Sequence, residues 1–363
     1  MSNSLGNLFT ITSFGESHGR CIGAIVDGCP AGLAVSKSDI QRELDRRKPG
    51  TGAASTKRVE EDRVDILSGI MDGATTGAPV CLMVWNTDIE SREYENNRFM
   101  PRPGQADYTA FVKYGGFNDF RGGGRFSGRT TASLVMGGAI ARKAIGYLGI
   151  EVMAHTVQIG TIRAKPAEPD RVREIVPNNP LACADIQASS KMTRAIEMAR
   201  EDGDSLGGII EGMALNVPPG LGEPVFDTLD GELARAIMAI PAVKGVEFGA
   251  GFAAAAMKGS ENNDPFTVKD GKIVTTSNNS GGVLGGISNG MPVIVRAVIK
   301  PTPSVEKRQK TVNMRDMTAG SLTVKGRHDA CIVPRAVVVV ESMMAVAICD
   351  LAIRAGMIPG VIR

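Results

Sequence analysis

The stretch Arg121-Gly122-Gly123-Gly124-Arg125-Phe126-Ser127-Gly128-Arg129 is the densest collection of chemically useful groups in the chain. Three consecutive glycines expose bare backbone N–H groups and permit positive φ angles. Three arginines supply permanently charged planar forks that match phosphate and carboxylate oxygens. Ser127 adds a short hydroxyl donor, and the apolar, helix-like run that follows would bring a helix N-terminus close to a bound anion. The chemistry implied is anion capture. The same composition also makes plain loops and, when repeated, RNA-binding elements, but here the triplet occurs once in a chain of globular composition. A P-loop would need Lys-Ser/Thr after the glycines, and a dinucleotide fingerprint would need an apolar strand where Tyr114-Gly-Gly-Phe-Asn-Asp-Phe120 stands.

Further polar clusters framed by glycine or proline recur along the chain. Gly15-Glu16-Ser17-His18-Gly19 places one of only three histidines in a turn beside a carboxylate and a hydroxyl. Asp45-Arg46-Arg47-Lys48 reads either as a cationic arm for an anionic ligand or as plain charge–dipole complementarity at a helix C-terminus. Lys300-Pro301-Thr302-Pro303-Ser304 follows a strand, and Arg327-His328-Asp329 joins three polar types in sequence. Several separate cationic groups suit a substrate with several anionic groups, one of them a phosphate. His18 could protonate a leaving group and Asp329 could accept a proton. Small-residue turns at 249–256 and 281–286 could admit a planar cofactor. His155 reads as structural, and no Cys-x-x-Cys pair marks a metal or redox site.

These groups need elements to hold them. Ile22 to Val26 reads as a buried strand after the His18 turn. Ser36 with Asp39 forms a capping-box pattern, opening a helix that Pro49-Gly50 stops. Strands are expected over Val64–Ile70, Val80–Trp85, Ile150–Ile162, Gly208–Val217 and Met291–Ile299. Helices are expected over Ala132–Tyr147, Ser190–Asp202, Asp227–Ile240 with Asp227 as its cap, and in a long C-terminal element with Pro334 in its first turn. Residues 86–120 are polar, weakly periodic and too long for an idle connection, so they are a candidate functional or lid segment. Residues 163–189 read as a surface excursion. Strands and helices mix without strict alternation and without an internal repeat, which favours α+β over a doubly wound sheet, in a single domain over 1–363.

Composition narrows the class. With 43% hydrophobic and 22% charged residues the chain is of the soluble globular type, and 17 methionines against 4% aromatics imply an aliphatic and Met-rich core. A net charge of +2 implies no broad nucleic-acid surface. Six scattered cysteines and an N-terminus without a targeting pattern point to reduced thiols and a cytoplasmic location. The apolar run Val337–Ile353 is interrupted by Glu341 and Asp350, so it reads as a core helix and no membrane is expected.

Taken together, Gly15–Gly19 with Ile22–Pro30, Asp45–Gly50, Arg121–Ser127, Val243–Glu247, Gly281–Ser288, Lys300–Thr302 and Gly326–Asp329 resemble chorismate synthase, in order and over nearly the whole chain. The resemblance implies a β-α-β sandwich with long helices between antiparallel sheets, assembled as a homotetramer. It implies FMN-dependent anti 1,4-elimination of phosphate from 5-enolpyruvylshikimate 3-phosphate to give chorismate in the shikimate pathway. Reduced FMN would be required without net redox change, with NADPH as its possible reductant.

By position, the resemblance implies that His18 protonates the departing phosphate or holds it, and that Asp329 takes part in proton removal with the flavin N5, with Ser17 and Ser127 in the proton network. Arg46, Arg47, Arg129 and Arg327 would bind phosphate and carboxylates, and Arg47 is also the NADPH position. The flavin would contact Arg125, Phe126, Ser127, Pro241, Ala242, Gly285, Lys300, Pro301, Thr302, Pro303, Ser304 and Arg327. Gln105 stands where the family usually has His, and Ala53 where many members have Arg, with Lys57 or Arg58 nearby. Ser127-Gly-Arg-Thr-Thr131 lacks a glutamate that the family usually carries. Gln hydrogen-bonds but carries no proton charge. The alternative expectation is therefore a weakened or inactive flavin- or phosphate-binding homologue.

Overall fold

The computed structural model describes residues 3–48, 61–87, 89–324 and 328–363. Ala53, Lys57, Arg58 and Arg327 lie outside them. Two five-stranded sheets form the outer layers. The first contains β1 (Ser4–Leu5), β2 (Thr10–Gly15) and β3 (Cys21–Asp27), extended by Val80–Trp85 and then Val64–Ser68 at its edge. The second runs Val243–Phe248, Val293–Ile299, Gly208–Leu215, Glu151–Ile159, Ile162–Arg163. All strand pairs within the two sheets are antiparallel.

Between the sheets lie α4 (Thr131–Gly146) and the C-terminal helix Val333–Arg354, with α1 (Lys37–Arg47) and the helix Leu229–Met238 packed alongside. The expected α+β sandwich is therefore present. The close approach of the two central helices has a sequence cause. A Cβ on Gly138 of α4 would lie 2.2 Å from Ser342 Cβ, so only a bare backbone fits there. The C-terminal helix is long and apolar enough to cross a membrane, but 89% of its most apolar window is buried inside the protein, as a core helix requires.

Charged groups inside this layer are tied into hydrogen-bonded clusters. Glu341, 2% exposed, accepts from both terminal nitrogens of Arg46 at 2.6 and 2.8 Å. It also accepts from Arg142 at 2.7 Å and from the Ala154 N–H at 2.9 Å. Burial pushes the Glu341 carboxyl up, but the two guanidiniums more than offset this and hold it below its ordinary range. Asp350 accepts from the N–H groups of Asn7, Leu8 and Phe9, pinning the N-terminal segment.

Several boundaries differ from expectation for local reasons. The capping box at Ser36 and Asp39 forms as expected. The Leu229–Met238 helix is capped by Thr228, not Asp227, whose carboxylate instead accepts from Arg354 at 2.7 Å. Residues 163–189 are more than a surface excursion. They contain the helix Pro169–Ile175 and bury Val172, Val176 and Ala184 beside Met153, Met213 and Leu215. Asp185 then caps the next helix four residues earlier than expected, at Ile186. The cysteines are all free, four of them buried, and His155 is fully buried against Glu211, as its structural reading expects.

Candidate active site

The β2–β3 hairpin presents Glu16, Ser17 and His18 in its turn, which is fastened from outside. Asn86, just after the strand Val80–Trp85, donates to the carbonyls of Glu16 and Gly19 at 3.0 and 2.8 Å. The Ser17 N–H donates to Gly124 O at 3.1 Å, joining the hairpin turn to the glycine triplet. Gly122, Gly123 and Gly124 all hold positive φ, at 59°, 80° and 51°. Side chains would be strained there, and a Cβ on Gly122 would lie 2.4 Å from His18 Nε2 and 2.9 Å from Ser17 Oγ. The glycines thus allow two polar side-chain atoms to converge on bare backbone. Ser17 Oγ is buried and has no hydrogen-bond partner among the described residues.

Of the three arginines in the 121–129 stretch only Arg129 is buried; Arg121 is partly exposed and Arg125 exposed, yet each has a partner. Arg121 is held by both Asp119 oxygens at 2.8 Å, and Arg125 pairs with Asn3. Arg129, 5% exposed, donates to Asn86 at 3.0 Å and to Asp62. Asp62 in turn receives Arg47 on its other oxygen. Burial raises the Asp62 carboxyl, while Arg47 and Arg129 together bring it below the ordinary range. Ser127 Oγ accepts from the Arg129 N–H at 3.3 Å and opens the turn that leads into α4.

From Arg47 the contacts continue to the C-terminal helix. Arg335 donates through Nε to Arg47 O at 3.1 Å and through a terminal nitrogen to Asp329 at 2.5 Å. One continuous series of hydrogen bonds therefore runs from the His18 turn through Asn86, Arg129, Asp62, Arg47 and Arg335 to Asp329. Arg46, one residue before Arg47, faces the other way and is occupied by Glu341 and Glu43. Its fork thus holds helices together, whereas the resemblance assigns it to ligand binding.

The 300–304 turn joins from another side. Lys300 Nζ donates to Gly104 O at 2.5 Å, and its backbone N–H donates to Ala242 O at 2.9 Å. Ala242 itself holds φ at 74°, a left-handed conformation that a residue with a Cβ seldom adopts, beside Pro241. Thr302 Oγ1 is buried without a partner among the described residues. Burial and the neighbouring Lys244 lower the Lys300 ammonium. Gly285 lies in a different turn, 281–288, where its neighbour Gly286 packs on the Thr228 cap. Phe126 tilts against Tyr114 with centroids 6.3 Å apart.

The 86–120 segment, expected to be functional, folds as α2 (Arg92–Asn96) and α3 (Asp107–Lys113) over the hairpin Gln309–Asn313/Thr318–Leu322. It places Ser91 Oγ 2.8 Å from His18 Nδ1, and the Tyr94 ring edge-on to His18 with centroids 5.3 Å apart. Arg102 lies over Tyr94 and is bound to Asp107 through two bonds of 2.8 Å. Gln105 donates its N–H to Arg102 O in the same loop. Asp62, Asn86, Ser91 and Arg335 were missed by reading the sequence. Each is a single common residue whose partner is far away in the chain, so no local pattern marks it.

Buried arginines, a placed histidine and a Ser17 hydroxyl without a partner among the described residues, on an antiparallel sandwich, suit an enzyme that handles a small anion. The comparisons narrow this. The family profile described as chorismate synthase matches residues 9–353. A protein named chorismate synthase from Dehalococcoides mccartyi is 59% identical over 363 residues, covering 100% of both chains. One of the same name from Korarchaeum cryptofilum is 55% identical over 345 residues, 95% of this chain and 96% of that protein. A crystal structure of a chorismate synthase superposes with TM-score 0.76 at 33% identity, covering 96% and 93% of the two chains. The chain belongs to the chorismate synthase family, lyases that act on phosphates in the shikimate pathway. The alternative of a weakened or inactive binding homologue, raised by Gln105, finds no support in relatives this similar over their whole length.

Proposed function

We propose that the series of contacts from His18 to Asp329 is the active site for eliminating phosphate from 5-enolpyruvylshikimate 3-phosphate to give chorismate. The observation that carries this reading is the continuity of that series. It links a histidine, two buried arginines and a carboxylate drawn from four separate parts of the chain. Arg47, Arg129 and Arg327 would neutralise the substrate's anionic groups, with Asp62 keeping two of these forks in place. His18 would protonate the departing phosphate as the carbon–oxygen pair leaves with it, and Ser17 would donate to the same oxygens. Asp329, steadied by Arg335, would take the proton from carbon, whose electron pair becomes the new double bond.

Reduced FMN fits the residues on the other side of the site. Lys300 and the Thr302 hydroxyl, which has no partner among the described residues, leave donors for a phosphate or a ring edge, with the strained Ala242 turn against them. Arg125, Phe126, Ser127, Pro241, Gly285, Pro301, Pro303 and Ser304 complete the proposed set. These residues would hold the reduced flavin, which would supply electron density as phosphate leaves; NADPH would be the reductant of that flavin. Arg47 suits the substrate better than a nucleotide, being 2% exposed and bound to Asp62.

We read residues 1–363 as one catalytic unit in the cytoplasm, associating as a homotetramer. The exposed apolar side chains Phe266, Val268 and Ile273 support such association. The test is anaerobic: protein, reduced FMN and the enolpyruvyl substrate are mixed while chorismate absorbance and free phosphate are followed together. Both should rise in equal amounts with reduced FMN, and neither with oxidised FMN. Flavin binding without product would overturn the reading.

A further inference from the structure

We infer that Ser91 is a positioning residue that fixes the ring and tautomer of His18. The inference rests on the reading of His18 as proton donor and adds a residue to it. Ser91 stands at the N-cap of the short helix α2, where a serine hydroxyl ordinarily accepts from the helix N–H groups. Its side chain makes no capping bond and instead lies 2.8 Å from His18 Nδ1. A local preference is given up in favour of a contact 73 residues away in sequence.

The Tyr94 ring, one turn further on, abuts His18 edge-on, with ring planes at 82°. Together these contacts leave the imidazole little freedom to rotate. They aim Nε2 at Gly122, where the missing side chain leaves space beside Ser17 Oγ. With Ser91 Oγ accepting from Nδ1–H, Nε2 is the nitrogen that gives its proton to a phosphate oxygen. The carbon–oxygen electron pair leaves with the phosphate, and the ring is left neutral as the Nδ1–H form. In water neutral imidazole favours the other tautomer; the protonated ring, however, must donate Nδ1–H to Ser91 Oγ, which is thereby turned to accept and holds the Nδ1–H form once Nε2 has given up its proton. The 86–120 segment thus contributes a functional group, not only a cover.

The test uses the full chain with reduced FMN and the variants Ser91→Ala, Ser91→Thr, His18→Asn and the double variant Ser91→Ala/His18→Asn. Single-turnover phosphate release in Ser91→Ala should fall roughly tenfold, with KM changed by less than about twofold, and Ser91→Thr should recover most of the loss. Nitrogen-15 spectra of the labelled histidines, with the His18 signal assigned by its loss in His18→Asn, should show the neutral ring moving from Nδ1–H to Nε2–H in Ser91→Ala. The double variant should be no slower than His18→Asn alone. Unchanged phosphate release or an unchanged tautomer in Ser91→Ala would overturn the inference. Full turnover by His18→Asn would instead overturn the underlying role of His18.

Discussion

Two neighbouring arginines on one helix serve different regions of this molecule. Arg46 enters a cluster with Glu341, Glu43 and Arg142, in which Glu341 is satisfied by two guanidiniums and a backbone N–H. Arg47 enters a second cluster with Asp62 and Arg129, linked to the His18 turn and to Asp329. The first cluster is closed and joins three helices. The second is bordered by a Ser17 hydroxyl without a partner among the described residues and by three glycines that keep its flank bare. Closed networks hold a fold and open ones hold a ligand. The side chains at α1's end are distributed between these two tasks by helix geometry alone, since successive residues point about 100° apart.

The open cluster should be the more sensitive of the two to a single added atom. Gly122→Ala would bring a methyl group against His18 Nε2 at a backbone angle that disfavours it. Turnover should fall by on the order of 100-fold through misplacement of His18. Near-normal kcat would show that the two groups do not face a common space. At the closed cluster, Glu341→Gln should instead destabilise the fold by about 3–5 kcal/mol, because Arg46 and Arg142 would lose their shared countercharge. The kcat per folded molecule should remain unchanged. Chemical denaturation and active-site titration on the same samples would separate the two quantities.

Acid provides a subtler test. Asp62 and Glu341 both have their carboxyls held below the ordinary range in the folded protein. Their stabilisation is fully present above the unfolded values, near pH 4, and is lost as pH falls through the folded ones. Stability should therefore be flat from neutrality down to about pH 5 and drop below about pH 4. The Glu341→Gln variant should show a shallower drop. An equal slope in wild type and variant would remove Glu341 from the account.

Much of the scaffold was legible in the sequence because its signals are local. Ser36 and Asp39 announced α1, the run Val80–Trp85 emerged with the expected bounds, and Pro334 sits in the first turn of the C-terminal helix. The glycine triplet was legible as a special backbone, and its positive φ angles confirm why glycine is needed. Its arginines were harder to read, because charge type does not reveal whether a fork is already filled. Arg121 is filled by Asp119 two residues away, Arg129 by Asp62 from a distant loop. Asp227 lost its expected cap to Thr228 since Arg354 competes for its carboxylate, a contact no window of sequence contains. Arg335 was invisible for the same reason: its meaning lies in reaching Asp329 and the end of α1 together.

On the proposed reading the His18 turn carries the elimination while the Glu341 cluster holds the fold. Anaerobic single-turnover release of phosphate by His18→Ala, with the thermal midpoint taken on the same sample, tests it most directly. The variant should release phosphate roughly 10²–10⁴-fold more slowly at an unchanged midpoint. A wild-type rate, or a loss of rate explained wholly by a lowered midpoint, would contradict it.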